Sequence, residues 1–459
     1  MTKENADYLL SIKSVRETNL STRDLLLTNK LSNFDVDLSK LPNIIKFVCE
    51  TIRSSFPTED SFQKIPVHGR YQHFEVGGKT RLTNLIEHWK EVLGLSDYEI
   101  CKKIIDLFVI SVLLDAGAGN DWSYKEDDGT VSNRSEGIAI ATFHMFSRGV
   151  FSDSSDSSDP YQVNGSKLAL FSTESLTMGF QISESNPIAG FEGRLNLLQK
   201  LGKTLSSNKE MFGIDGRPGN LIDYLMKLPT TTKLNDDQYE IDLVDLWTAL
   251  MNGLNPIWPD DDRLKFEGKS LGDTWILQSK INESLQKYPE YKTAEELPIN
   301  LKVVTFHKLT QWLTYSLFLP LSKFGHFKIK NEEYMTGLPE YRNGGLFVDF
   351  GLLTLKSDVL KRGIQFQQEI NGNDKEHYLP AYLPKDDVIV EWRSCTIVLL
   401  DYILPLVNKE LQIKNPNNRL SLPQLIEAGS WKSGRLIAAK LRPTTKGAPI
   451  ELISDGTVF

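Results

Sequence analysis

The sequence predicts a mainly α protein, a helical single body with few short strands and with its unusual residues carried on loops. Three observations predict this class. Apolar residues recur at helical spacing along most of the chain, strand signals are few and short, and no internal repeat marks a solenoid or propeller. The 459 residues, 40% hydrophobic and 24% charged, have ordinary globular composition and enough length to bury a large core. We expect a helical N-terminal extension over residues 1–60 and a body over residues 61–459.

Residues 1–60 are polar, with scattered helical periodicity. In "HWKEVLGLSDYEICKKIIDLFVISVLLDAG", Ile104, Leu107, Phe108, Val112 and Leu114 populate a wide apolar face until Gly117 and Gly119 break the pattern. "RSEGIAIATFHMFSRG" predicts a second helix, ended by Gly149. "SDSSDSSDPY", residues 152–161, reads as an acidic low-complexity loop solvated at the surface. Further helical runs are "GRLNLLQKLGKTL", "DLVDLWTALMNGL", "TFHKLTQWLTYSLFL" and "DDVIVEWRSCTIVLLDYILPLV", the last expected to end or kink at Pro405. The best strand signal is "GAPIELISDGTVF" near residue 459.

Charge and cysteine usage exclude several functions. Net charge is −8, the pI is near 5.6, and no Lys/Arg cluster offers the basic stripe that nucleic-acid binding needs. Cys49, Cys101 and Cys395 lie far apart and form neither a disulfide framework nor a metal pair, as in a reducing compartment. "MTKENADYLL" lacks a basic region followed by a long apolar one, and the longest apolar stretches are interrupted by polar residues. The expectation is a cytoplasmic protein with no nucleic-acid or membrane partner.

Known cofactor motifs are missing too. The seven histidines, His68, His73, His88, His144, His307, His326 and His377, form no HExxH, HxH or Cys/His group. "HGRYQHF" separates His68 and His73 by five positions, a poor helical spacing for one metal. "DAGAGND" lacks the Lys-Ser/Thr of a P-loop and a preceding strand, and no GxSxG elbow occurs. No metal or cofactor is expected.

Charged residues inside apolar surroundings carry the remaining signal. Lys308 lies among Phe306, Leu309, Trp312 and Leu313, and on a helix Gln311 and Trp312 would share its face. It is either a lysine snorkelling to water or a cation held at a pocket wall. Glu391 and Arg393 enter an apolar helix and need partners, in a structural salt bridge or at a site. Asp115 and Asp121, with Trp122 and Tyr124, suit a polar ligand or turn capping. In Arg134-Ser135-Glu136, which opens the next helix, Ser135 could be its cap. "EYRNGG" sets Glu340, Tyr341 and Arg342 before a glycine pair that a turn could use. Glu340 is there either a plain ion-pair partner of Arg342 or a general base and stabiliser of positive charge.

Taken together, "LLDAGAGNDWSYKE", "RSEGIAIATFHMFSRGVFS", "NPIAGFEGR", "FHKLTQWLTYSL", "LPEYRNGGLFVDFG", "VEWRSCTIVLLD" and "SDGTVF" resemble the uracil catabolism protein 4 family. That resemblance implies a place in uracil degradation by a route through a uridine nucleotide and ribosylurea. The motif order is also similar, more distantly, to the queuosine salvage proteins, queuosine 5′-phosphate N-glycosylases with a helical, DNA-glycosylase-like body. "FHKLTQWL" sets Lys308 at that family's lysine, and "EYRNGGLFVDFG" sets Glu340 at its catalytic aspartate. Glu340 is one methylene longer than aspartate, displacing the carboxylate by ~1.5 Å. Gly-Ala-Gly replaces an aromatic pocket segment, as for a smaller, more polar leaving group.

These resemblances imply an N-glycosidase that splits ribosylurea, or its 5′-phosphate, into urea and ribose or ribose phosphate. Glu340 would stabilise the oxocarbenium-like sugar and orient water, with Arg342 and Tyr341 supporting it. Lys308 would meet a phosphate or the leaving group, beside His307. Asp115, Trp122, Arg134, Glu136, Gln311, Glu391 and Arg393 complete the expected substrate contacts. The expected partner is thus a nucleoside- or nucleotide-derived small molecule. A hydrolase of the pyrimidine-derived ring or amide, and a non-catalytic partner of other enzymes of the route, are the alternatives.

Overall fold

The computed structural model describes residues 5–115, 117–119, 121–154, 159–258, 263–371 and 379–453. Among these the protein is mainly α, and its strands are short members of small sheets. The largest sheet has three strands, in the order Phe327–Lys330, Tyr239–Asp242, Thr232–Lys233. The first pair is parallel and the second antiparallel. The "SDSSDSSDPY" loop lies partly, and "SDGTVF" wholly, outside the described residues.

The chain divides into two compact units. The first comprises Met1–His68, Asp262–Lys308 and Tyr334–Ile453. At its centre runs the 24-residue helix Asp387–Glu410, about 36 Å long at 1.5 Å per residue. Helices Ile12–Leu27, Leu41–Ser55 and Tyr341–Asp349 pack on it. Val388, Trp392, Cys395, Leu399, Ile403 and Val407 face a core shared with Ile44, Val48, Ile52 and Phe347. Each such side chain, fully buried, stabilises by about 1.5–3 kcal/mol. Pro405 does not end this helix, which continues to Glu410; what it lacks is the N–H that residue 401's carbonyl would accept. The N-terminal segment is tied in by polar groups: Ser14 and Thr18 hydroxyls meet the Thr305 hydroxyl at 2.8 and 3.3 Å. Short strand pairs complete the unit, among them Thr274–Ile276 against Val303–Thr305.

The second unit is drawn from Gly69–Asp261 and Leu309–Glu333. Its apolar helices include Asp97–Leu113, Arg134–Ser147, Phe191–Ser207 and Leu243–Leu254. Ile104, Leu107, Phe108 and Val112 are fully buried, as the helical spacing predicted. The run read as one long pattern is two helices, Arg81–Glu91 and Asp97–Leu113. Gly94, at φ +64°, turns the chain between them, and the Ser96 hydroxyl accepts the Glu99 N–H to cap the second. Arg217 and Asp106 form a buried ion pair at 2.7 Å, with the Gly219 N–H donating to the other carboxylate oxygen.

Candidate functional site

In the first unit, the strand Val303–Thr305 delivers residues 306–308 to the start of helix Lys308–Lys323. His307 makes the junction at φ +45°, a left-handed conformation costly for a histidine. Its Nε2 lies 2.8 Å from the Leu9 carbonyl, which can only accept, so Nε2 carries the proton. Burial pushes the imidazole's pKa down and keeps the ring neutral.

Asp273 ties this junction to the segment before Glu340. Its Oδ2 accepts the Lys308 N–H at 3.0 Å, and its Oδ1 accepts the Trp275 indole N–H at 2.7 Å. Arg393 grips it with two bonds of 2.8 Å, a bidentate ion pair. Burial raises this carboxyl's pKa, but the Arg393 charge and the hydrogen bonds outweigh burial and hold it at about 2. The Arg393 guanidinium also sits 4.1 Å from the Phe306 ring centroid and donates to the Pro339 carbonyl at 3.4 Å. One buried pair thus connects the first residue of the Lys308 helix to the residue before Glu340.

Glu391 and Arg393, two apart on their helix, do not face each other and serve different partners. The Glu391 oxygens accept the Ser32 and Asn33 N–H groups at 2.9 and 2.6 Å, and burial raises its pKa. It anchors the N-terminal segment.

Glu340 is the N-cap of helix Tyr341–Asp349. Its Oε2 accepts the Arg342 N–H at 2.8 Å and its Oε1 the Asn343 N–H at 2.5 Å. The Asn-Gly-Gly that a turn could use is therefore helix interior. A Cβ on Gly344 would lie 2.6 Å from the Thr396 hydroxyl and 2.8 Å from Trp392 Nε1, so the glycine permits helix–helix contact. Tyr341 is exposed, whereas Arg342 is buried and stacks 4.6 Å from the Trp431 ring centroid. The expected support of Glu340 by Arg342 comes from that residue's main-chain N–H. Trp431 follows a π-helical turn, Ile426–Ser430, and also meets the Arg435 guanidinium at 4.9 Å. His68 bonds Glu427 at 2.5 Å.

The second unit holds a separate polar cluster around Arg70, which is fully buried. Its Nη1 approaches Asp115 Oδ2 at 2.8 Å, the Ser135 hydroxyl at 3.0 Å and His73 Nδ1 at 3.0 Å. Its Nε and Nη2 donate to the Ser111 hydroxyl and carbonyl. Ser135 is not the cap, a position held by Asn133; its hydroxyl donates to Asp115 Oδ2 at 2.7 Å. Burial lowers the Arg70 pKa, opposed by the charges of Asp115 and Glu136. Arg194 holds the Gly-Ala-Gly loop by donating to the Leu114, Gly117 and Ala189 carbonyls. Trp122 is core: it is 1% exposed and its indole N–H donates to the Phe180 carbonyl at 2.9 Å. Arg134 begins its helix at φ +52°, Glu136 and Gln311 are buried, and the Trp312 ring lies 5.5 Å from His73.

Asp273, Arg70 and Arg194 were missed in the sequence. Arg70 lies within "HGRYQHF", between His68 and His73, and nothing local in that polar segment signals that it is buried. Asp273 gave no local signal, since its partner Arg393 is 120 residues away. Among the described residues, no group of three or more His, Cys, Asp or Glu is placed to share a metal ion, and no helix is long and apolar enough to cross a membrane.

Comparison with known proteins gives the wider context. The family described as Protein of unknown function (DUF1688) matches residues 8–459. Uracil catabolism protein 4 of Lachancea kluyveri is 47% identical over 465 residues, covering 100% of each chain. Protein urg3 of Schizosaccharomyces pombe is 41% identical over 461 residues, again covering 100% of each.

Proposed function

Because the chain belongs to the DUF1688 family and is similar over its full length to a uracil catabolism protein, we propose that it acts in uracil catabolism as an N-glycosidase of ribosylurea or its 5′-phosphate. The bond broken is the one between the anomeric carbon and a urea nitrogen. Its electron pair leaves with nitrogen, which gains a proton, while water adds its oxygen to the anomeric carbon and loses a proton. The products are urea and ribose, or ribose 5-phosphate.

Glu340 supplies the negative charge that faces the developing oxocarbenium ion and orients the water. The observation that carries this reading is the doubly held carboxylate. Two main-chain N–H groups fix both oxygens, so the group has no reorganisation left to make as charge develops. Capping does not exhaust it, since a carboxylate offers about four lone-pair sites. Tyr341 packs on the sugar, and Lys308, whose helix start is fixed by Asp273, meets phosphate or leaving group.

A substitution separates the cap from the chemistry. Asn caps helices well, so Glu340→Asn should keep the fold. Turnover of ribosylurea should nevertheless fall by about two to three decades, as for loss of one preorganised electrostatic group. A folded Glu340→Asn protein with wild-type turnover would make Glu340 a structural cap only. Free ribose or ribose phosphate among the products separates this activity from hydrolysis of the pyrimidine-derived ring or amide. Turnover by the purified chain alone separates it from a non-catalytic partner.

A further inference from the structure

The strand Val303–Thr305 pairs with Thr274–Ile276 in a two-stranded sheet. The bonds between them run through flanking residues, from the Leu277 N–H to the Lys302 carbonyl and from the Phe306 N–H to the Asp273 carbonyl. Antiparallel ladders alternate, so Thr305 points its own N–H and carbonyl the other way. There helix Ile12–Leu27 supplies side chains where a third strand would supply main chain. The Thr18 hydroxyl accepts the Thr305 N–H at 3.0 Å, and Asn19 Nδ2 donates to the Thr305 carbonyl at 3.0 Å. Asn19 Nδ2 also donates to the Val15 carbonyl at 2.7 Å, so both its hydrogens are used, and the two carbonyls fix which end of the carboxamide is nitrogen. The other end, Oδ1, can only accept, and the Ser394 hydroxyl donates to it at 2.5 Å. Asn19 and Ser394 are both fully buried. Asparagine is a poor residue for a helix interior, and its place here at mid-helix marks a tertiary demand that overrides local preference.

We propose that Asn19 is a positioning residue for the reaction, a brace that sets the segment leading to Lys308 against the helix that holds the segment before Glu340. On one side, Thr305 is followed by Phe306, His307 and Lys308. On the other, Ser394 follows Arg393, whose guanidinium donates to the Pro339 carbonyl and grips Asp273, the acceptor of the Lys308 N–H. One buried carboxamide therefore closes a ring that runs through Thr305, Lys308, Asp273, Arg393 and Ser394. Asn19 has a short side chain with every polar atom at its tip bonded, so the brace has little freedom to give. Misplacing reacting groups by about 1 Å can cost about 100-fold in rate, so loosening the brace reaches turnover before it reaches the fold. The proposal gives the N-terminal segment a share in the chemistry. It rests on the ribosylurea reading for the roles of Lys308 and Glu340; the brace itself is independent of any substrate.

The test compares three variants of the full-length protein. Ser394→Ala cuts one arm of the brace and suits a helix, and Asn19→Leu removes both arms at similar volume. Tyr382→Phe is the control, deleting a buried hydroxyl that donates to the Val359 carbonyl at 2.7 Å in another part of the same unit. Hydrogen exchange reads the brace without substrate. Ser394→Ala and Asn19→Leu should speed exchange in residues 303–310 and 338–346 together, and Tyr382→Phe in neither. With ribosylurea or its 5′-phosphate, the first two variants should lower kcat about tenfold or more with KM little changed, while Tyr382→Phe keeps wild-type kcat whatever its loss in melting temperature. Should Asn19→Leu fail to fold, Ser394→Ala alone decides. Exchange that Ser394→Ala leaves unchanged in one segment or both overturns the proposal, as does a kcat that falls no further than in Tyr382→Phe. If wild type leaves ribosylurea and its phosphate intact while the two segments loosen together, the ribosylurea reading falls and the brace stands.

Discussion

At Glu340 the carboxylate accepts from Arg342 and Asn343 along the main chain, and at Asp273 it accepts from Arg393, Trp275 and the Lys308 N–H. The two groups differ in what removing them leaves behind. Loss of Glu340 uncovers amides that another cap can satisfy, whereas loss of the Asp273 charge strands a buried guanidinium. Asp273→Asn should therefore cost about 3–5 kcal/mol in denaturant unfolding, the usual penalty for breaking a buried pair from one side. The depressed carboxyl, held at about 2 in the folded state against an ordinary 3.8, also sets a pH dependence. The unfolded state binds the proton first, so this contribution is complete above about pH 4 and is lost as the pH falls through about 2. Its size is about 2 kcal/mol. Asp273→Asn should flatten that part of the acid limb; an unchanged slope would mean that Arg393 does not hold Asp273 as described.

At the scale of elements, the apolar helices were legible because their faces are set by local spacing. Ile104, Leu107, Phe108 and Val112 are buried together as that spacing requires. Asn343-Gly344-Gly345 left a turn open because local propensity and tertiary need conflict. Glycine weakens a helix, yet here only glycine lets helix Tyr341–Asp349 approach Trp392 and Thr396. Gly344→Ala should cost about 1–3 kcal/mol through overpacking. Because that helix begins at Glu340, turnover should fall as well. A neutral effect on melting would show that the contact has room to give. Pro405, expected to end or kink its helix, does not end it, for a related reason: the strength of a breaker depends on what packs around it, and a single residue does not encode that.

For the whole molecule, the mainly α class was readable, but the partners of the charged residues Arg393 and Asp115 were not. Asp273 to Arg393 and Arg70 to Asp115 are pairings across 120 and 45 residues, and nothing in the intervening sequence announces them. Charged residues in apolar runs say only that a partner exists. Each unit has its own polar cluster: one joins Asp273 to Arg393 and the Lys308 N–H, and the other surrounds the buried Arg70. The most direct test supplies ribosylurea and its 5′-phosphate to the purified protein and measures sugar and urea together. Equimolar urea and ribose, or ribose 5-phosphate, should accumulate with wild type and be slowed at least a hundredfold by a folded Glu340→Asn variant. Sugar release at the wild-type rate from that variant, or urea nitrogen freed with the sugar–nitrogen bond intact, would contradict the account.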